Sequence, residues 1–169
     1  DLVEGLVERE IIEHHPEDTL EDVDVTSNGI LILNYLHEVK SLLLACDLEG
    51  NALSTLNLPD TTCPDGSLKP LSIYTSSNPR NDDFFVSISG FDEPGRVLRG
   101  SCQKTTVRDG QELRDAIEGT FDPFLSVDFS SLSVPDTLAA SQVFYTSKDG
   151  KTKVPMFILE PKAQAVSGQ

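Results

Sequence analysis

The stretch ILILNYLHEVKSLLLACDL, residues 30–48, holds two apolar runs with a short polar interruption between them. Apolar runs of about four to eight residues bounded by turn residues are typical of buried strands, whereas helices usually need about ten residues or more. Ser27-Asn28-Gly29 precedes the first run and Glu49-Gly50-Asn51 follows the second, and both triplets suit hairpin turns. We therefore expect residues 30–36 and 42–48 to be adjacent antiparallel strands.

Extending this pattern along the chain yields two sets of four strands. The first set adds residues 22–26 and 53–58, while the polar stretch before Leu20 is interpreted as a connection. The second set follows a loop at 59–70 and comprises residues 71–75, 84–89, 96–101 and 124–129. Within the second set, we expect 84–89 to pair with 96–101.

The two sets repeat at a regular distance. They start near Val23 and Leu71, which are 48 residues apart. Propeller blades have a period of roughly 40–50 residues, although no Trp-Asp or kelch signature accompanies the repeat here. We predict an all-β fold: a partial β-propeller of about two four-stranded antiparallel blades, followed by a β-hairpin. A β-sandwich is the alternative, and strand periodicity does not separate the two folds.

Residues 106–120 interrupt the second set and have a different pattern. Asp109 and Glu112 fit a capping box, and Leu113, Ala116 and Ile117 would share one helical face before Gly119. The pattern predicts a short surface helix inserted in a blade.

Composition excludes several classes of protein. The net charge of −15 would repel nucleic acid and anionic lipid, and no apolar run approaches the roughly 20 residues of a membrane span. Cys46, Cys63 and Cys102 are odd in number and lack a C-x-x-C spacing, which favours neither a disulfide framework nor a zinc site. We expect a cytoplasmic protein with no nucleic-acid or membrane partner. The opening Asp1-Leu2-Val3-Glu4, without leader or initiating Met, is interpreted as a fragment boundary.

Candidate catalytic groups are few. No G-x-S-x-G occurs, and neither Ser87-Ile88-Ser89-Gly90 nor Gly100-Ser101-Cys102 precedes a helical pattern, as a serine nucleophile on a strand-to-helix turn would require. Glu13-His14-His15 with Asp18 contains zinc-ligand residue types, but adjacent side chains of an extended segment point in opposite directions.

The remaining candidates are better explained structurally. We interpret His37 as a loop histidine with a hydrogen-bond partner and Cys46 as a small buried side chain. Asp82-Asp83 and Glu21-Asp22 lie beside turns and have no apolar pocket that would separate their pKa values. Gly95, Gly100 and Gly110 are too scattered to form a phosphate-binding loop. The sequence therefore predicts no catalytic residue, no cofactor-binding residue, no metal ligand and no cofactor.

Two stretches resemble a known family. Residues 30–41 are similar to a strand and turn of the late propeller blades of prolyl oligopeptidases. VFYTSKDG at 143–150, with VPMFI at 154–158, resembles the hairpin that opens their peptidase domain. The resemblance implies a cytosolic serine endopeptidase that cleaves short peptides after proline, built from a seven-bladed propeller and an α/β-hydrolase domain. The propeller is expected to admit only small peptides. The family's catalytic residues lie downstream of the hairpin, so none is carried over to this chain.

We accordingly interpret residues 1–138 as partial propeller blades and 139–169 as the truncated opening hairpin of the peptidase domain. The expected partner of both segments is the remainder of the same polypeptide. Short proline-containing peptides would be partners of the complete protein. The chain alone should be inactive. Phe144, Met156, Phe157 and Ile158 should either fold back on the blades or remain exposed. A free-standing acidic β-rich binding module without enzymatic activity is the alternative, and a complete small hydrolase is the weakest hypothesis.

Overall fold

The computed structural model describes residues 9–63, 66–91, 95–110, 112–126 and 138–161. These residues form ten β-strands, and no helix occurs among them. The first sheet contains β1 (Asp18–Val25), β2 (Ile30–His37), β3 (Lys40–Asp47) and β4 (Ser54–Thr55). The second contains β5 (Leu71–Ser77), β6 (Asp83–Gly90), β7 (Arg96–Asp109) and β8 (Glu112–Ser126). The last two strands, β9 (Leu138–Thr146) and β10 (Lys153–Pro161), form a separate antiparallel hairpin.

Each four-stranded sheet is an antiparallel meander in which neighbours in the chain are neighbours in the sheet. The predicted pairing of residues 30–36 with 42–48 is confirmed, because β2 pairs with β3 from Ile30↔Asp47 to His37↔Lys40. The predicted pairing of 84–89 with 96–101 is confirmed as well, by β6 and β7. The all-β prediction therefore holds throughout the described residues.

The predicted helix at 106–120 is wrong. β7 and β8 pair without interruption of the ladder from Cys102↔Gly119 to Asp109↔Glu112, so the segment is the distal half of a long β-ribbon. Asp109 and Glu112 face each other across its turn, where Gly110 has a φ of +63°. The physical reason lies in the surroundings, since Ile117 is buried in the core and its backbone N–H donates to the Ser54 hydroxyl of the first sheet.

Three strand boundaries also differ from the prediction. β1 begins at Asp18, within the stretch interpreted as a connection, because Asp18 and Thr19 pair with the end of β2. The predicted strand at 53–58 is reduced to the two residues of β4. The predicted strand at 124–129 is the end of β8 up to Ser126, and residues 127–129 lie outside the described part.

One hydrophobic core lies between the two sheets. Alternate residues of β2 and β3 face alternate residues of β6 and β7 across it, namely Ile30, Ile32, Leu43 and Ala45 on one side and Phe84, Val86, Ile88 and Leu98 on the other. A period of two along each strand explains why these positions share a face. The opposite face of the first sheet carries a smaller cluster of Leu33, Tyr35 and Cys46, against which Ile12 packs. Among the described residues, no helix is long and apolar enough to cross a membrane.

Candidate functional site

The serines examined as nucleophiles lie in regular sheet. Ser87 and Ser89 are exposed on β6, and Ser101 on β7 pairs with Thr120 of β8. Within the described residues, none of the three is hydrogen-bonded to a histidine. A serine hydrolase requires a base within hydrogen-bond reach of its nucleophile. These serines have no such base in the described part of the chain.

Two of the three histidines meet at one carboxylate. His15 Nδ1 lies 3.1 Å from Asp18 Oδ2, and His37 Nδ1 lies 2.5 Å from Asp18 Oδ1. His37 joins because it is directly opposite Asp18 in the β1–β2 ladder. The local sequence places His15 near Asp18 but gives no sign of His37, which joins them only because β1 begins at Asp18. In the part of the chain that the structure describes, no group of three or more His, Cys, Asp or Glu could hold a metal ion.

Two further carboxylates, Asp83 and Asp47, form structural ion pairs. Asp83 binds Arg99 on the neighbouring strand, and this hydrogen bond raises the pKa of the guanidinium. Asp47 binds Lys104 of the β7–β8 ribbon at 3.1 Å. Partial burial raises the pKa of Asp47, but hydrogen bonds from Lys104 and from two backbone N–H groups outweigh that effect and lower it. These ion pairs join neighbouring strands or the two sheets and hold the carboxylates in place.

The buried thiols of Cys46 and Cys102 are not activated as nucleophiles. Burial raises the pKa of Cys102 to about 12. Burial, together with the charge of Asp47, also raises the pKa of Cys46. Because the thiolate is the reactive form, both cysteines are packing residues, as predicted for Cys46.

A set of buried polar side chains joins the two sheets at β5. Asn34 Nδ2 donates to the Ile73 carbonyl at 2.7 Å, and the Ile73 N–H donates to Ser41 Oγ at 3.0 Å. Further along β5, the Ser77 N–H donates to Asp24 Oδ1 at 3.0 Å. β5 is an edge strand of the second sheet, so these backbone groups would otherwise lack partners. The contacts fix the position of one sheet against the other.

Asn34→Leu should lower the free energy of unfolding by about 1–2 kcal/mol. The substitution leaves the buried Ile73 carbonyl without its donor. The substitution also removes Asn34 Oδ1, a buried acceptor without a partner. Removing this unsatisfied atom is favourable and offsets part of the destabilisation. Urea denaturation measures the change, with Asn57→Leu as the control because Asn57 is exposed. Equal losses in both variants would contradict the prediction.

The outer face of the second sheet is exposed and partly aromatic. Tyr74 and Phe124 are 67% and 62% exposed, and Phe85 packs edge-on against Phe124 with ring centroids 4.9 Å apart. Ser72, Ser76 and Ser87 lie between the aromatic residues on the same face. Exposed aromatic side chains with polar residues between them are typical of an interaction surface.

The β9–β10 hairpin touches both sheets. Gln142 Nε2 of β9 donates to the Glu38 carbonyl in the β2–β3 turn at 2.7 Å. The Phe157 ring of β10 packs on Phe91, just beyond β6, with centroids 5.6 Å apart. The Phe157 side chain contacts Phe91, whereas Phe144 and Met156 are exposed on the hairpin.

Comparison with known proteins identifies one group of relatives. No family model matches the chain. It is 27% identical over 149 residues to prolyl oligopeptidase A of Galerina marginata, covering 88% of this chain and 17% of that protein. It is 33% identical over 85 residues to the dual function macrocyclase-peptidase POPB of the same organism, covering 50% of this chain and 10% of that protein.

Solved structures agree with these relatives. Apo prolyl oligopeptidase B from Galerina marginata matches with a TM-score of 0.56 and 25% identity, over 92% of this chain and 19% of that one. A structure from a study of two prolyl endopeptidases matches with a TM-score of 0.50 and 29% identity, over 88% of this chain and 18% of that one. The resemblance predicted from the sequence is confirmed, and the sheets match a propeller-like part of these proteins. The chain spans less than a fifth of their length.

Proposed function

We propose, from the similarity of this chain to prolyl oligopeptidases, that it is part of a serine endopeptidase that cleaves short peptides after proline. Residues 1–138 are then propeller blades, and 139–169 contain the opening hairpin of the peptidase domain. The blades do not perform the chemistry but restrict which peptides reach it. The observation that carries the proposal is the match to prolyl oligopeptidase A over 88% of the chain.

The exposed surfaces support a role as part of a larger assembly. A propeller blade buries both faces against its neighbours, whereas the outer face of the second sheet leaves Tyr74 and Phe124 exposed. A further blade of the same polypeptide would cover this face, and the rest of the peptidase domain would cover Phe144 and Met156 on the hairpin. The remainder of the polypeptide is therefore the proposed partner.

The proposed location is the cytoplasm. Cys46, Cys63 and Cys102, all in the described part of the chain, are free thiols. Free thiols are usual in a reducing compartment, where disulfides are rare.

A free-standing acidic binding module is the second candidate. It is favoured by one observation, that both four-stranded sheets share a single core and so resemble a domain that could fold alone. In that case the outer face of the second sheet would be the binding surface. A monomeric chain that unfolds in one cooperative transition would favour this candidate.

A fluorophosphonate probe tests the proposal that the catalytic serine lies outside this segment. This chain should remain unlabelled, because the candidate serines in its described part, Ser87, Ser89 and Ser101, lack a positioned base, while the complete enzyme should be labelled at one serine outside this segment. The transcript supplies the companion test, since beyond Gln169 it should encode a Gly-rich turn around a serine, followed by an Asp and a His. Stoichiometric labelling of the chain itself would overturn the proposal and revive the small-hydrolase hypothesis.

A further inference from the structure

We infer that Gln142 and Phe157 form a two-point latch that holds the β9–β10 hairpin against the two sheets and can release it as a unit. We further infer that this latch positions the peptidase domain on the propeller. That step rests on the proposed function. The contacts themselves do not depend on it.

The two latch residues lie at the same position along the hairpin, one on each strand. Gln142 and Phe157 are directly opposite each other in the β9–β10 ladder, so their side chains lie on the same face. Gln142 reaches the Glu38 carbonyl on the first sheet, and Phe157 reaches Phe91 on the second. A single cross-strand pair therefore bridges both sheets.

The β2–β3 turn presents its carbonyl in a strained conformation. Glu38 and Val39 have φ values of +49° and +65°, in the left-handed region that two-residue hairpin turns use with Asn or Gly. A non-glycine residue is disfavoured in this region, and a β-branched residue such as valine is especially unusual there. Val39 is 49% exposed, so core packing does not explain why it is present. Strain without a packing benefit indicates a functional constraint on this turn.

The second contact is weak enough to be reversible. The Phe91 and Phe157 rings are inclined at 55°, a favourable arrangement that adds only a modest stabilisation for a single pair. Phe91 remains 51% exposed even with this contact in place. The strands β9 and β10 contact chiefly each other and have few contacts with the two sheets. An element held by so few contacts opens at a low free-energy cost compared with the core.

A tryptophan reporter can measure docking of the hairpin in the whole chain. The sequence contains no Trp, so Phe157→Trp places a single fluorophore against Phe91. Gln142→Ala in this background removes one hydrogen bond, which corresponds to a roughly two- to tenfold larger undocked population. The expected result is red-shifted emission and stronger acrylamide quenching, with no change in the urea midpoint of the sheets. Gln103→Ala is the matched control, because the Gln103 side chain is exposed on β7 and makes no hydrogen bond within the described residues.

Amide hydrogen exchange provides a second readout with Phe157 intact. Gln142→Ala should accelerate exchange in β9 and β10 while leaving β2 and β3 unchanged. Emission, quenching and exchange identical to those of the Gln103→Ala control would overturn the latch. Because neither readout involves peptidase activity, failure of the latch would leave the proposed function untouched, and an inactive parent protein would leave the latch untouched.

Discussion

Phe84→Ala should lower the free energy of unfolding by about 3–5 kcal/mol. Phe84 is 0% exposed and is the largest fully buried side chain of the core between the sheets. It packs edge-on against Phe121 with centroids 6.0 Å apart, and its ring covers Gly100, where a Cβ would lie 2.6 Å from the ring. Because Gly100 has no side chain to fill the vacated space, the cavity would remain largely open.

Phe85→Ala is the matched control for this loss. Phe85 is the next residue on β6, points to the opposite face and is 37% exposed. Its main ring contact is with Phe124, so its removal should cost the roughly 0.5–1.5 kcal/mol of that ring pair together with the burial of a partly exposed side chain, which is less than the loss of the fully buried Phe84. Urea denaturation of both variants measures the difference. Equal destabilisation would mean that the core does not lie between the sheets as described.

Gly50→Ala should lower the free energy of unfolding by about 2–4 kcal/mol. Gly50 has a φ of +84°, and an added Cβ would lie only 2.1 Å from the Ile11 carbonyl oxygen. A backbone atom cannot move away as a flexible side chain can, so the segment around Ile11 must shift. The neighbouring Ile12 would then lose its packing against the Leu33, Tyr35 and Cys46 cluster.

Gly110→Ala separates the clash from the backbone strain. Gly110, in the β7–β8 turn of the second sheet, has a φ of +63°, but nothing lies within 4 Å of the position of its Cβ. This control should lose only the roughly 1–2 kcal/mol of left-handed strain. Replacing glycine with alanine also lowers the conformational entropy of the unfolded chain, which stabilises the folded state. This effect is the same in both variants and cancels when they are compared. Gly50→Ala should also accelerate amide exchange at residues 9–17, and unchanged exchange there would contradict the proposed displacement.

The β7–β8 ribbon shows why local pattern can mislead. Leu113, Ala116 and Ile117 are compatible with a helical face, and Asp109 with Glu112 is compatible with a cap. In the structure, Ile117 is buried against the first sheet and hydrogen-bonds Ser54, more than sixty residues earlier in the chain. A contact at such a distance leaves no periodic signal within the ribbon itself, and tertiary packing overrides the local preference.

The sequence by itself determined the strands that bury an apolar face and the turns between them. β2, β3 and β6 are recognisable because alternating or continuous apolar residues and Asn-Gly or Gly-Asn turns are local properties. It also carried the resemblance to prolyl oligopeptidases, through short stretches whose residues can be compared directly.

Only the tertiary structure decided which polar groups meet. Asn34 and Ile73, His37 and Asp18, and Gln142 and Glu38 are separated by 39, 19 and 104 residues along the chain. Hydrogen bonds require distances near 3 Å, and such proximity depends on how sheets are placed against each other rather than on any local preference. The hydrogen bonds that Asn34, Ser41 and Asp24 make with β5, and the hairpin latch, therefore come from the packing of elements. The sequences of these elements, taken one at a time, indicate only that they are strands and turns.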